Sequence, residues 1–140
     1  MDRTASARWE GGLKDGKGTI STESGVLDAS YSFSKRFEDE KGTNPEELIG
    51  AAHASCFSMA LSMILGEKGY TADSIETSAK VTLSQSDAGF DISKIHLDVV
   101  AAISGADDAA FQEAAETAKA NCPVSKVLNA EISMTAKLKA

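Results

Sequence analysis

Between Leu48 and Leu65 the chain carries almost no charge, and its apolar residues fall on every face of a helical projection. Ile49, Ala52, Phe57, Met59, Leu61, Met63 and Ile64 are among them. An all-round apolar pattern predicts a buried central helix rather than a surface one. Asn44 as cap, Pro45 at the first helical position and Glu46-Glu47 in the first turn mark its start. Gly66-Glu67-Lys68-Gly69 marks its end. At roughly 20 residues it would run about 30 Å. A period of two follows. Ile75, Thr77, Ala79, Val81 and Leu83 alternate through residues 74–85 as a half-buried strand. Phe90, Ile92, Ile95, Leu97, Val99 and Ala101 form its hairpin partner across Ser86-Asp87-Ala88-Gly89. Residues 107–120 predict an amphipathic helix with Phe111, Ala115 and Ala118 inward, and Cys122-Pro123 opens a short helix through about Leu128. Residues 132–138 alternate as a last strand. Ahead of the long helix, residues 5–36 read as short strands punctuated by glycines, and 37–43 as a charged loop. The order predicts an α+β fold with helices on antiparallel sheet, in a single domain over residues 1–140.

Composition narrows the classes. Hydrophobic content of 42% and charged content of 25% are ordinary for a globular domain. No uninterrupted apolar run reaches the ~18 residues of a membrane span, so no membrane role is expected. The N-terminus Met1-Asp2-Arg3-Thr4-Ala5-Ser6 lacks the apolar core of a secretory signal, which predicts a cytoplasmic protein. A net charge of −7, from 21 acids against 14 bases, opposes binding to nucleic acid or to an anionic bilayer.

Two cysteines, Cys56 and Cys122, are the informative count. In a reducing compartment disulfides tend to be transient and catalytic, while a free thiol is among the most buried side chains and is often inert. Two thiols 66 positions apart lack the close paired spacing of a structural zinc site, and with only two histidines in the chain no metal is expected. Cys56 falls mid-helix on a face with Ile49, Ala52, Met59, Ala60 and Met63, where apolar surroundings raise a thiol's pKa. Its use as a nucleophile needs a cation brought from elsewhere in the fold. Cys122 caps the helix opened by Pro123, where the dipole favours a thiolate. Local reasoning therefore makes Cys122 the reactive one.

Longer motifs reverse that order. Residues 43–62, Thr-Asn-Pro-Glu-Glu-Leu-Ile-Gly-Ala-Ala-His-Ala-Ser-Cys-Phe-Ser-Met-Ala-Leu-Ser, resemble the cysteine helix of the OsmC/Ohr peroxidase family. Asn121-Cys122-Pro123-Val124-Ser125-Lys126-Val127-Leu128 resembles its second cysteine motif. Trp9-Glu10-Gly11 and Gly16-Lys17-Gly18-Thr19 resemble its opening strands, and Ser32-Phe33-Ser34-Lys35-Arg36-Phe37-Glu38 its arginine loop. The resemblance runs nearly end to end.

It implies an OsmC-like fold, an intertwined homodimer, and a peroxidase preferring organic hydroperoxides. By position, Cys56 matches the attacking cysteine and Cys122 the resolving one. Arg36 matches the arginine that activates the thiolate, and Glu46 the acid that orients it. The cycle would pass through a Cys56 sulfenic acid and a Cys56–Cys122 disulfide, reset by an external dithiol of lipoyl type, with no cofactor. Glu46 and Cys56 are ten residues apart on one helix, about 15 Å at 1.5 Å per residue. A two-fold pairing of these helices would then give composite sites, Cys56 and Cys122 from one subunit with Arg36 and Glu46 from its mate. Without the resemblance, Arg36 reads as a solvated side chain and Glu46 as a helix N-terminal charge. His53 reads as a satisfied core histidine, and His96 as structural. The alternatives are a redox-sensing or hydrophobic-ligand-binding module of the same fold without turnover, and a structural stress protein indifferent to both thiols.

Overall fold

Alternation over residues 72–103 folds as two long antiparallel strands in the computed structural model, which describes all of residues 1–140. By contacts the chain divides into two compact units, Met1–Leu48 and Ile49–Ala140.

The first unit holds β1 (Ala5–Glu10), β2 (Lys17–Thr22) and β3 (Asp28–Tyr31) in an antiparallel meander, then α1 (Phe33–Phe37). Residues 33–36 are therefore helical, against the expectation of extended structure. Ser32 caps the turn by accepting from the Lys35 N–H, and the rings of Phe33 and Phe37, one turn apart, meet at 4.9 Å. Gly18 is buried under the rings of Trp9 and Tyr31, and a Cβ there would come within 2.5 Å of Tyr31 and 2.7 Å of Trp9. No large apolar side chain of this unit is fully buried, and β1 is exposed along its whole length.

α2 (Pro45–Glu67) begins at the end of the first unit and runs unbroken into the second. The second unit continues with β4 (Ala72–Ser86), β5 (Gly89–Ile103), α3 (Asp108–Asn121), α4 (Pro123–Val127) and β6 (Glu131–Leu138). β5 is the central strand, antiparallel to β4 and parallel to β6. The parallel pair corrects the expected all-antiparallel sheets. Returning from β5 through α3 and α4 brings the chain back in the same direction, as a helical crossover does.

One face of this sheet carries Ile95, Leu97, Val99, Ala101 and Ile103 of β5, all buried. Phe57, Leu61, Ile64 and Leu65 of α2 and Phe111, Ala114, Ala115 and Ala118 of α3 pack into the same cluster. Burying each large side chain contributes roughly 1.5–3 kcal/mol. Gly50 lets α2 approach the strand, since a Cβ there would lie 3.3 Å from the Ala79 carbonyl oxygen.

The pattern predicts a long helix buried all round, and the structure corrects this. His53, Phe57, Leu61 and Ile64 form its covered face, while Ala51, Ala52, Ser55, Ser62 and both methionines, Met59 (76%) and Met63 (62%), are exposed. The helix is long and apolar enough by composition to cross a membrane, a property it shares with core helices.

Candidate active site

The sequence places Cys56 mid-helix and Cys122 between two helices, and the fold closes the 66-residue gap between them. Cys122 ends α3, where its N–H donates to the Ala118 carbonyl, and also caps α4, with Pro123 as the first residue. Pro123 cannot extend the α3 hydrogen-bond ladder, so the chain turns at Cys122. Cys122 is fully buried in the core and Cys56 is half-buried on α2. Their sulfurs lie 3.0 Å apart, within hydrogen-bond distance and unbridged.

The two thiols differ electrostatically. Burial pushes the Cys56 thiol up, and its hydrogen bond to Cys122 adds to this. Burial also works against the Cys122 thiolate. The hydrogen bond shared with Cys56, the N–H groups of Ser125 and Val124 and the Ser125 hydroxyl outweigh it, and Cys122 lies below its ordinary value. Within this unit Cys122 is therefore the more acidic of the two thiols. That is the local order already expected from the helix cap, and Cys56 needs an external cation to become the thiolate.

Arg36 and Glu46 are brought together in the other unit. Arg36, in the last turn of α1, donates from Nη2 to Glu46 Oε1 at 2.8 Å and from Nε to the same oxygen at 3.2 Å. This forked geometry fixes the guanidinium plane. The guanidinium carbon also lies 5.1 Å from the Phe37 ring centroid. Beside it opens an apolar cleft of about 230 Å³ walled by Trp9, Leu13, Tyr31, Phe33 and Phe37. Apart from Arg36, no residue around this cleft was singled out for a role from the sequence. The available signal was the gathering of four aromatics before residue 38.

His53 is fully buried, as a core histidine is expected to be, but only half satisfied. Its Nε2 lies 2.7 Å from Ser125 Oγ, and its Nδ1 has no partner. His96 lies on the polar face of the sheet beside Ser133 and Thr135. No group of three or more candidate ligands is arranged for a metal ion.

The paired thiols within an α2–sheet–α4 frame match a known family. The model of the OsmC-like protein family covers residues 38–137, including Glu46, Cys56 and Cys122. The chain belongs to the OsmC-like family. It is 58% identical over 140 residues to peroxiredoxin OsmC of Escherichia coli (strain K12), an alignment covering 99% of this chain and 98% of the relative. It is 33% identical over 124 residues to the organic hydroperoxide resistance protein OhrB of Bacillus subtilis (strain 168), covering 87% and 89% of the two chains. The crystal structure of OhrB superposes with a TM-score of 0.69 at 29% identity, covering 97% of this chain and 98% of that one. This OsmC-like protein is a cysteine-based peroxidase.

Proposed function

We propose that the protein reduces organic hydroperoxides, with Cys56 as the attacking thiolate and Cys122 as the resolving thiol. The observation that carries this is the unbridged 3.0 Å approach of the two sulfurs. The Cys56 thiolate attacks the distal peroxide oxygen, the O–O bond breaks, and the alkoxide leaves as an alcohol after taking a proton. Cys56 is then a sulfenic acid. Cys122 displaces its hydroxyl as water, forming the disulfide, which an external dithiol of lipoyl type reduces by exchange. Such a cycle belongs in a reducing compartment, which supports a cytoplasmic location.

Arg36, oriented by Glu46, supplies the cation that Cys56 lacks, and the aromatic cleft beside Arg36 takes the apolar tail of the peroxide. The sites are composite. Residues 1–140 act as one domain that a second copy completes, with α2 helices antiparallel across a two-fold axis. Three features support this. Glu46 and Cys56 are separated by about 15 Å of unbroken helix. Met59 and Met63 leave an apolar face of α2 uncovered. The first unit has no buried core of its own, and three-stranded sheets ordinarily need a covered hydrophobic face.

The test is turnover. With dihydrolipoamide supplied, the protein should consume cumene hydroperoxide far beyond its own thiol content. It should prefer cumene or fatty-acid hydroperoxides to hydrogen peroxide, since each buried methylene is worth about 0.8 kcal/mol, a few-fold in affinity. Consumption that stops at one equivalent per site under reductant would mark a redox sensor instead. Higher efficiency with hydrogen peroxide would contradict the apolar pocket.

A further inference from the structure

His53 stands out because the proposed chemistry leaves it unused. It is fully buried on the inner face of α2, one turn before Cys56, and makes one polar contact, to Ser125. Ser125 is itself buried at 8% exposure and sits three residues after Cys122, inside α4. A buried polar side chain joined to another across a 72-residue separation is costly to keep unless both ends are matched.

The unpartnered nitrogen settles how the pair is arranged. A buried N–H without an acceptor is rarer than an acceptor without a donor. The bare nitrogen is therefore Nδ1, and Nε2 carries the proton. Burial also holds His53 below its ordinary pKa, so the ring is neutral and has this one proton. In that tautomer Nε2–H donates to Ser125 Oγ, 2.7 Å away. With its acceptor side occupied, the hydroxyl has its single proton free, and Cys122, at the cap of α4 one turn before Ser125, is the acidic group within its reach.

We infer that His53 is a positioning residue for the resolving step: it holds the Ser125 hydroxyl so that its proton points at the Cys122 sulfur and stabilises the thiolate. This rests on the proposed role of Cys122. The step then balances without any further reagent. The Cys122 thiolate attacks the sulfur of the Cys56 sulfenic acid, an S–S bond forms and the S–O bond breaks. The departing hydroxide takes up the proton that Cys122 released, giving one water. Ser125 and His53 lose no proton in the net reaction, and the attacking thiolate stands 3.0 Å from its target.

The experiment is a single turnover on the full chain. Reduced protein receives one equivalent of cumene hydroperoxide and is quenched at intervals. Sulfenic acid is then trapped with dimedone and disulfide is counted by intact mass. Ser125→Ala and His53→Phe should slow disulfide formation roughly tenfold, the size of one lost hydrogen bond to a charged group. The sulfenic acid burst should survive and last longer. His53→Gln places an amide N–H where Nε2–H stands and should recover most of the loss. A purely structural role would show no such split between the two steps and no recovery by Gln over Phe. Should His53→Phe fail to fold, Ser125→Ala carries the test, because it removes one oxygen. Disulfide formation at the wild-type rate in Ser125→Ala overturns the inference, and so does equal slowing by Gln and Phe. A wild-type protein that never forms the Cys56–Cys122 disulfide instead overturns the proposed roles of the cysteines themselves.

Discussion

Arg36 and Glu46 sit at a partly exposed rim, whereas Cys56 and Cys122 sit against a closed hydrophobic core. The Arg36 side chain is 36% exposed and Glu46 13%, and an ion pair of that kind is worth at most about 1 kcal/mol of stability. Around the thiols, Phe57, Leu61, Phe111, Ala115 and Ala118 have no exposed surface at all. The second unit therefore carries the energy that fixes geometry, and the first carries charge whose cost to the fold is small. The proposed cycle asks for this division. On that proposal the thiols need a fixed sulfur–sulfur distance, and the cation need only be present, oriented and reachable by substrate.

The largest expected break comes at the thiols. Cys56→Ser should abolish peroxide consumption, because in the proposed cycle no other group forms the sulfenic acid. Cys122→Ser should consume about one equivalent per site and then stall at sulfenic or overoxidised Cys56. Mass spectrometry after a peroxide pulse identifies the sulfur that oxidises first, and oxidation of Cys122 ahead of Cys56 would reverse the roles.

Arg36→Ala should lower kcat/KM by roughly 10²–10³, the usual loss when one preorganised charge partner of a reacting centre is removed. Its melting temperature should stay near wild type, given the exposed pair. The proposed composite site sharpens this further. A forced heterodimer of a Cys56→Ser chain with an Arg36→Ala chain keeps one intact site if Arg36 acts across the interface, and about half of the wild-type activity returns. If Arg36 serves the cysteine of its own chain, both sites are damaged and activity stays near the Arg36→Ala level. Leu61→Ala is the opposite kind of lesion. It should destabilise by about 2–5 kcal/mol in a denaturant titration, while the fraction still folded keeps its sulfenic acid chemistry.

The second unit was largely legible because its signals are long. Alternation over 74–85 and 90–101 grew by only one or two residues at each end in β4 and β5. α2 starts at the expected Pro45 and stops at Glu67, within the expected glycine-flanked end. The sense of β6 was not legible, since alternation gives the face of a strand and not its direction. A helical crossover between two strands was the available clue. α1 was missed because five residues cannot show a period, although Ser32 before a Phe33–Phe37 pair was a usable trace. The family resemblance supplied the roles of Cys56, Cys122, Arg36 and Glu46. Spacing could not place sulfurs 66 residues apart at 3.0 Å, nor join His53 to Ser125, because tertiary closure leaves no local mark. The exposed half of α2 has a similar origin. An apolar period predicts that a face is covered, and it does not say whether its own chain covers it.

The smallest expected effect tests what Glu46 is for. Glu46 and Glu47 both lie in the first turn of α2, where either carboxylate favours the helix by about 0.3–1 kcal/mol. Only Glu46 holds Arg36. If Glu46 serves the helix end alone, Glu46→Gln and Glu47→Gln should produce similar small losses of melting temperature and leave kcat/KM untouched. If it orients the guanidinium, the two variants part company. Glu46→Gln keeps a hydrogen-bond acceptor for the Arg36 fork but loses the charge assistance, which is roughly half the strength of the pair. kcat/KM should then fall several-fold, well short of the Arg36→Ala loss, while Glu47→Gln stays at the wild-type value. The Glu46→Gln defect should also vanish in an Arg36→Ala background, because the group that Glu46 orients is no longer there. An additive loss in that double variant would return Glu46 to the helix and remove it from the site.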